Sequence, residues 1–506
     1  MHTPSPVAEP PATLRGMLAH LGPGIILASS IVGSGELIAT TTTGADAGFA
    51  LLWLIVIGCV IKVAAQIEIG RSTLTSGRTP LDAFDRVPGP RLARRGWLFW
   101  AWAAMTVLIV VQQGGILGGV AQTLAGGLPI TAQGRAWNAA RDEAAALKVT
   151  EAAAVRSGDA PAAAAAQARL AELAEAEVGL APPADQTLWS LITAGVTALL
   201  LYIGRYRVIE VVSVILVGTF TLVTLAALVM LQLDPAWSIS TRELVGGLVP
   251  SIPPSVGGRS PLVTALATFG IIGVGASELM VYPYWCLEKG YGQAVGPRDG
   301  SESWARRARG WMRVMQLDAW SSMVVYTLVT VCFYLLGAAT LGRLGLRPAG
   351  SDMVRTLGAM YAPVFGSWAS AVFLVGAFAV LYSTLFVAAA GNARMVTDGL
   401  ILTGIIPGDD ASRAAWTRRL SVGWVIVAAG LVLAIREPVG MVLASGIAQA
   451  IMLAGLGVAV LFFRYRESDP RLAPSFAWDV LLWASATGFI VVGAWTLCQQ
   501  ALALLK

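Results

Sequence analysis

The sequence predicts an all-α integral membrane protein of about 11 helical spans, arranged as an inverted five-plus-five repeat with one helix added. Three observations carry that prediction. Of the 506 residues, 56% are apolar and only 13% are charged, against roughly 25% charged in soluble domains, so the polar groups are too sparse to cover a water-facing surface. Apolar stretches of about 20 residues, the length that crosses a hydrocarbon core, recur along the whole chain. A hexapeptide also occurs nearly twice, as "VGSGEL" at 32–37 and "VGASEL" at 274–279, in the first and sixth of those stretches.

Residues 1–16 read as a Pro-rich polar tail with no signal-peptide pattern. The first repeat, 17–232, takes spans at about 17–44, 47–69, 97–128, 187–204 and 208–232. The second repeat, 262–464, takes spans at about 262–287, 314–340, 364–393, 416–435 and 439–464, and the eleventh follows at 478–501. Lys and Arg concentrate in alternate connections, among them Arg71, Arg78, Arg91, Arg94, Arg95, Arg205 and Arg207, and later Arg306, Arg307, Arg313, Arg418 and Arg464. Basic residues mark the cytoplasmic side. The expectation is therefore a cell-membrane protein with a cytoplasmic N-terminus and an external C-terminus. The net charge of +5 reflects that placement and carries no nucleic-acid signal.

Two connections stand out. The stretch 130–186 is Ala-rich with scattered charges and is broken by Ser157-Gly158-Asp159. Ala, Glu, Arg and Leu favour helix, so it reads as an external helical hairpin: a tolerated insertion, or a docking surface for an unidentified partner. "SESWARRARGWMR" at 301–313 reads as a basic interfacial helix anchored by Trp304 and Trp311.

Composition excludes several chemistries. Cys59, Cys286, Cys332 and Cys498 all lie in apolar stretches, which suits small buried hydrophobes rather than disulfides or Cys-His metal sites. The two histidines, His2 and His20, both sit near the N-terminus. There is no Gly-rich phosphate loop and no nucleophile with a paired base, so the chain is not read as an enzyme and no cofactor is expected.

The repeated hexapeptide places an acid, Glu36 or Glu278, inside each of two oppositely directed spans. Inverted repeats of this kind build substrate sites where paired helices unwind at mid-membrane. Gly33, Gly35 and Gly275, with Gly270 and Gly273 upstream, suit such breaks, and Pro283 weakens the sixth helix further. Each acid has two readings. As the third residue of a restarting half-helix it can fold back on free N–H groups as a cap. As a carboxylate near mid-bilayer it belongs by default to a permeation path. The site reading expects both carboxyl groups at one shared cavity, with Gln449 of the tenth span beside them or bridging helices.

"GPGIILASSIVGSGELIATTTTGADAGFALLW" at 22–53 resembles, without gaps, the first span and following turn of the Nramp family of divalent-metal transporters. "RVMQLDAW", "YAPVFGSWASAVFLVGAFAVLYSTL" and "AGNARMVTDGL" resemble that family's seventh and eighth helices. The resemblance covers most of the chain outside 130–186. It implies eleven spans of the LeuT type, an internal N-terminus and a divalent cation as transported substrate. The metal motifs depart from the family: its metal-binding first-span Asp corresponds to Gly33 and the motif's Asn to Glu36. The alanine whose carbonyl binds metal corresponds to Ala276, and the methionine falls on Leu279, or on Met280 with a one-residue slip. The family's third-span proton-pathway acids correspond to Gln112 and Gly115. The implied site is Gly33, Glu36, Ala276, Glu278, Met280 and Gln449, with Glu36 and Glu278 as metal ligands. Two carboxylates with carbonyls are hard-ligand chemistry suited to Mg²⁺, Mn²⁺ or Ca²⁺, and the missing acids imply no proton coupling.

A rival reading starts from the same residues. Gly33-Ser34-Gly35 also resembles the unwound Gly-Ser-Gly of amino-acid transporters with this fold, where backbone N–H groups hold a substrate carboxylate. Tyr282, Tyr284 and Trp285 would then line the pocket and the glutamates would hold an ammonium group. A third reading, a non-transporting receptor or scaffold, rests on the 130–186 segment.

Overall fold

The structure, a computed structural model, describes residues 7–177, 183–203, 206–235, 237–254 and 260–504. The first six residues with His2, Pro182 after the hairpin, and Arg205 lie outside the described residues.

Nine helices among the described residues are long and apolar enough to cross a membrane: Leu52–Ser76, Trp97–Gly127, Asp185–Ile203, Pro261–Glu288, Glu302–Gly342, Ala369–Leu402, Asp410–Ile435, Pro438–Glu467 and Phe476–Ala503. The remaining two spans are the interrupted first, from Pro23 to Ala47, and the fifth, Tyr206–Leu231. Several helices turn apolar side chains outward. Leu191, Ile192, Val196 and Leu199 of the fourth span are exposed, as lipid rather than water permits.

The seventh span departs from the expected plan. Residues 301–313 do not form a separate interfacial helix: one continuous helix runs Glu302–Leu336, with Trp304 and Trp311 buried against the protein. Ser301 caps it by accepting from the Trp304 N–H at 3.1 Å, and the helix carries through Gly310 into the seventh span without a break.

Between the third and fourth spans, helices Ala132–Ser157 and Ala160–Glu177 pack against each other, turning at Gly158 (φ +76°). The hairpin is tied to the connection before the eighth span. Arg141 pairs with Asp352 at 2.8 Å and Arg355 pairs with Asp142 at 2.7 Å.

The first and sixth spans both break. The first is helical over Pro23–Ile31, opens at Val32 and Gly33, and resumes over Ser34–Thr40 with wide i→i+5 turns, a form frequent at functional sites. The sixth is helical over Pro261–Ile271 and again over Ala276–Glu288. Gly273 has φ +55°, where a side chain would be strained. The two interrupted spans lie side by side: Thr43 Oγ1 and Thr268 Oγ1 are 2.7 Å apart.

Candidate functional site

Neighbouring spans hold the first half-helix in place. Asp318 of the seventh span accepts the Gly22 and Gly24 N–H groups, at 3.0 and 2.5 Å, and so caps its start. Ser383 and Thr384 of the eighth span donate to the carbonyls of Ser29 and Ser30 at its end, at 3.0 and 2.9 Å.

Around the breaks runs a polar chain contributed by five spans. Gln112 Nε2 donates to Ser34 Oγ at 3.3 Å, and Gln449 Nε2 donates to Gln112 Oε1 at 2.9 Å. The Ser277 N–H donates to Gln449 Oε1 at 3.1 Å, and Ser277 Oγ to Asn392 Oδ1 at 3.1 Å. These amides thus cross-link the third, tenth, sixth and eighth spans to the first. Gln112, where the resemblance marks a lost proton acid, is the hub of this chain.

A cavity of about 20 Å³ opens inside the chain, lined by Ser30, Ser34, Gln112, Glu278, Thr384 and Asn392 together with apolar side chains such as Ile271. Such a volume holds about one water or a bare cation. Glu278 faces it, and the buried Oε2 of Glu278 has no hydrogen-bond partner. A side chain at Gly275 would collide with that oxygen and with Gln449 Oε1, so both acceptors crowd the same backbone turn.

The sequence-predicted residues divide here. Glu278 and Gln449 come together beside the break. Glu36 does not line the cavity; its Oε1 accepts from the Gly273 N–H at 3.2 Å and from Thr330 Oγ1 at 3.2 Å, and the Gly33 N–H approaches its Oε2 at 3.5 Å. The structure therefore spends Glu36 on the backbone of the sixth-span break, closer to the capping reading than to a shared metal cavity. Gly33 is required for a steric reason: a side chain there would run into Thr384, which fills that space. Ala276 already begins the resumed helix, where its carbonyl enters the helical ladder. Met280 is fully buried in the apolar core and is absent from the cavity lining. Among the described residues no three His, Cys, Asp or Glu side chains converge as a metal cluster.

The aromatic pocket of the amino-acid reading is not formed. Tyr282 OH donates to Asp318 Oδ2 at 3.1 Å, Tyr284 OH donates to Asp398 Oδ2 at 2.8 Å, and the Trp285 ring lies 4.5 Å from the Arg394 guanidinium. None of the three lines the cavity at Glu278. Tyr284 instead borders a wider cavity of about 670 Å³ near Glu288, Arg394, Asp410 and Arg413.

One residue at the break escaped the sequence reading. Lys62 of the second span is fully buried, and its Nζ donates to the carbonyls of Phe269 and Ile272 at 2.5 and 2.8 Å. The signal was present in "IVIGCVIKVAAQ", a lone cation in an apolar run, which inside a membrane marks a functional position by default. Asn392 and Thr384, by contrast, are polar residues on a long helix that nothing in the one-dimensional pattern separates from packing residues.

The sequence matches the family described as natural resistance-associated macrophage protein-like, Nramp, over residues 150–499. The chain belongs to the Nramp family. That match includes the sixth-span hexapeptide and begins after the first-span copy. No curated protein matches this Nramp sequence. Among solved structures, a manganese transporter from Eremococcus coleocola aligns at 16% identity and TM-score 0.62, covering 97% of this chain and 89% of that one. MhsT in complex with L-phenylalanine aligns at 15% identity and TM-score 0.54, covering 97% and 99%. Mhp1, a nucleobase-cation-symport-1 family transporter, aligns at 14% identity and TM-score 0.50, covering 98% and 95%. At such identities the likeness is one of fold: this Nramp protein has the interrupted-helix architecture of LeuT-type transporters.

Proposed function

We propose that this Nramp-family chain carries a divalent cation, Mg²⁺ or Mn²⁺, across the cell membrane without a co-transported proton, its N-terminus in the cytoplasm. The carrying observation is that Glu278 lines a polar cavity of about 20 Å³ and that its buried Oε2 has no hydrogen-bond partner. A carboxylate oxygen stranded in low dielectric is costly, and a cation bound there would satisfy it. Ser34, Gln112, Thr384 and Asn392, all oxygen-bearing side chains, line the same cavity, and oxygen ligands suit Mg²⁺ or Mn²⁺. The space is too small for an amino acid, and the aromatic side chains such a substrate would use are engaged elsewhere. The family and the fold shared with a manganese transporter support the same reading.

Proteoliposome flux tests it. Saturable uptake of Mg²⁺ or Mn²⁺ is expected, with no uptake of amino acids and no acidification of the lumen. Saturable amino-acid uptake in place of metal uptake would overturn the reading, and lumenal acidification during metal entry would overturn the absence of proton coupling.

A further inference from the structure

The two ionisable side chains that hold the sixth-span break come from different spans and serve opposite backbone functions. In a continuous helix the Gly273 N–H would donate to the Phe269 carbonyl. Here that N–H donates to Glu36 Oε1 of the first span. The freed Phe269 carbonyl, together with that of Ile272, accepts from Lys62 Nζ of the second span. Both carbonyls lie at the C-terminal end of the half-helix Pro261–Ile271, the negative end of its dipole, where orphan acceptors gather. The ammonium also stands 4.9 Å from the Phe269 ring centroid. The titratable groups that act on it are Cys59 on its own helix, Glu36 from the first span and Glu278 from the sixth.

Half-helix C-termini and unwound carbonyls are where interrupted-helix transporters coordinate a free coupling cation. We propose that Lys62 is a tethered substitute for that cation: its ammonium occupies a monovalent-cation position on the Phe269 and Ile272 carbonyls, so that no free Na⁺ or similar ion is bound or carried there. This inference rests on the chain being a transporter of this architecture and not on the identity of its substrate.

It predicts that removing the side chain without filling its space creates a site for a small free cation. The full-length protein, purified in detergent without divalent cations, would be melted in Na⁺, Li⁺ or NH₄⁺ and in N-methylglucamine at constant ionic strength. The wild type is expected to melt alike in all of them. Lys62→Ala is expected to melt lower in N-methylglucamine and to recover saturably as Na⁺, Li⁺ or NH₄⁺ is added. Lys62→Met, whose chain refills the space without a charge, is expected to melt lower and not to recover. Saturable stabilisation of the wild type by a monovalent cation would overturn the proposal, as would a Lys62→Ala protein indifferent to the cation. Should Lys62→Ala fail to fold even when prepared in Na⁺, Lys62→Gly is prepared in the same way. Failure of both would also overturn it, because a free cation should then be able to take the ammonium's place. No divalent cation enters this measurement, so loss of the divalent-cation reading would leave its outcome unaffected.

Discussion

Glu278→Gln is expected to weaken divalent-cation binding about ten- to a hundredfold, the effect of losing one charge-assisted contact of roughly 1.5–3 kcal/mol. The amide keeps the shape of the side chain and one oxygen, so the fold should survive. Because the buried Oε2 of Glu278 has no protein partner, no internal hydrogen bond is lost with it, and the melting temperature without metal should stay level or rise. Glu36→Gln should behave in the opposite way. Its Oε1 accepts from the backbone of the sixth-span break and from Thr330, bonds that a neutral amide oxygen accepts more weakly. Its Oε2 faces the Gly33 N–H, where an amide NH₂ cannot accept, so the melting temperature falls, with affinity changed only through the altered breaks. Titration calorimetry beside thermal melting separates the two. Equal losses of affinity without change in stability would return both acids to one shared site.

The second large effect concerns Gly33. Gly33→Asp would introduce the acid that the first-span resemblance implies at this position, yet the new side chain would collide with Thr384, whose hydroxyl donates to the Ser30 carbonyl at 2.9 Å. Overpacking a filled core costs about 1–3 kcal/mol, and burying an unpaired charge adds to it. The single variant should therefore misfold or transport little. Gly33→Asp with Thr384→Ala opens the space and points a second carboxylate at the cavity that Thr384 lines. That double variant should fold and bind Mn²⁺ about tenfold or more tightly than wild type, by one added charged contact. A single variant that folds and transports normally would show that Thr384 does not fill the place of the missing aspartate.

How far the sequence reveals this can be followed residue by residue. The spans and both breaks are legible because apolar length, glycine placement and the repeated hexapeptide are one-dimensional signals. Residues 301–313 misled because charge marks an interface without saying whether the helix stops there, and in the structure it continues to Leu336. Glu36 and Glu278 look equivalent in their hexapeptides, yet the two breaks are not. The first span resumes in wide turns that bring Glu36 onto the Gly273 N–H, whereas Glu278 sits on an ordinary helix that begins at Ala276. Only the packing of the two breaks decides which acid is spent and which is free. Gln112 shows the same limit: read as a lost acid, it is the junction that joins Ser34 to Gln449.

On the proposed function, the cavity at Glu278 between the two interrupted spans is the cation site. Anomalous scattering at the manganese edge from crystals grown with Mn²⁺ tests it most directly. A peak is expected between the breaks with a Glu278 carboxylate oxygen at about 2.0–2.6 Å, the range of hard-cation–oxygen bonds, and its loss is expected in Glu278→Gln. Mn²⁺ found only in the wider cavity beside Glu288 and Asp410, with none at the breaks, would contradict it.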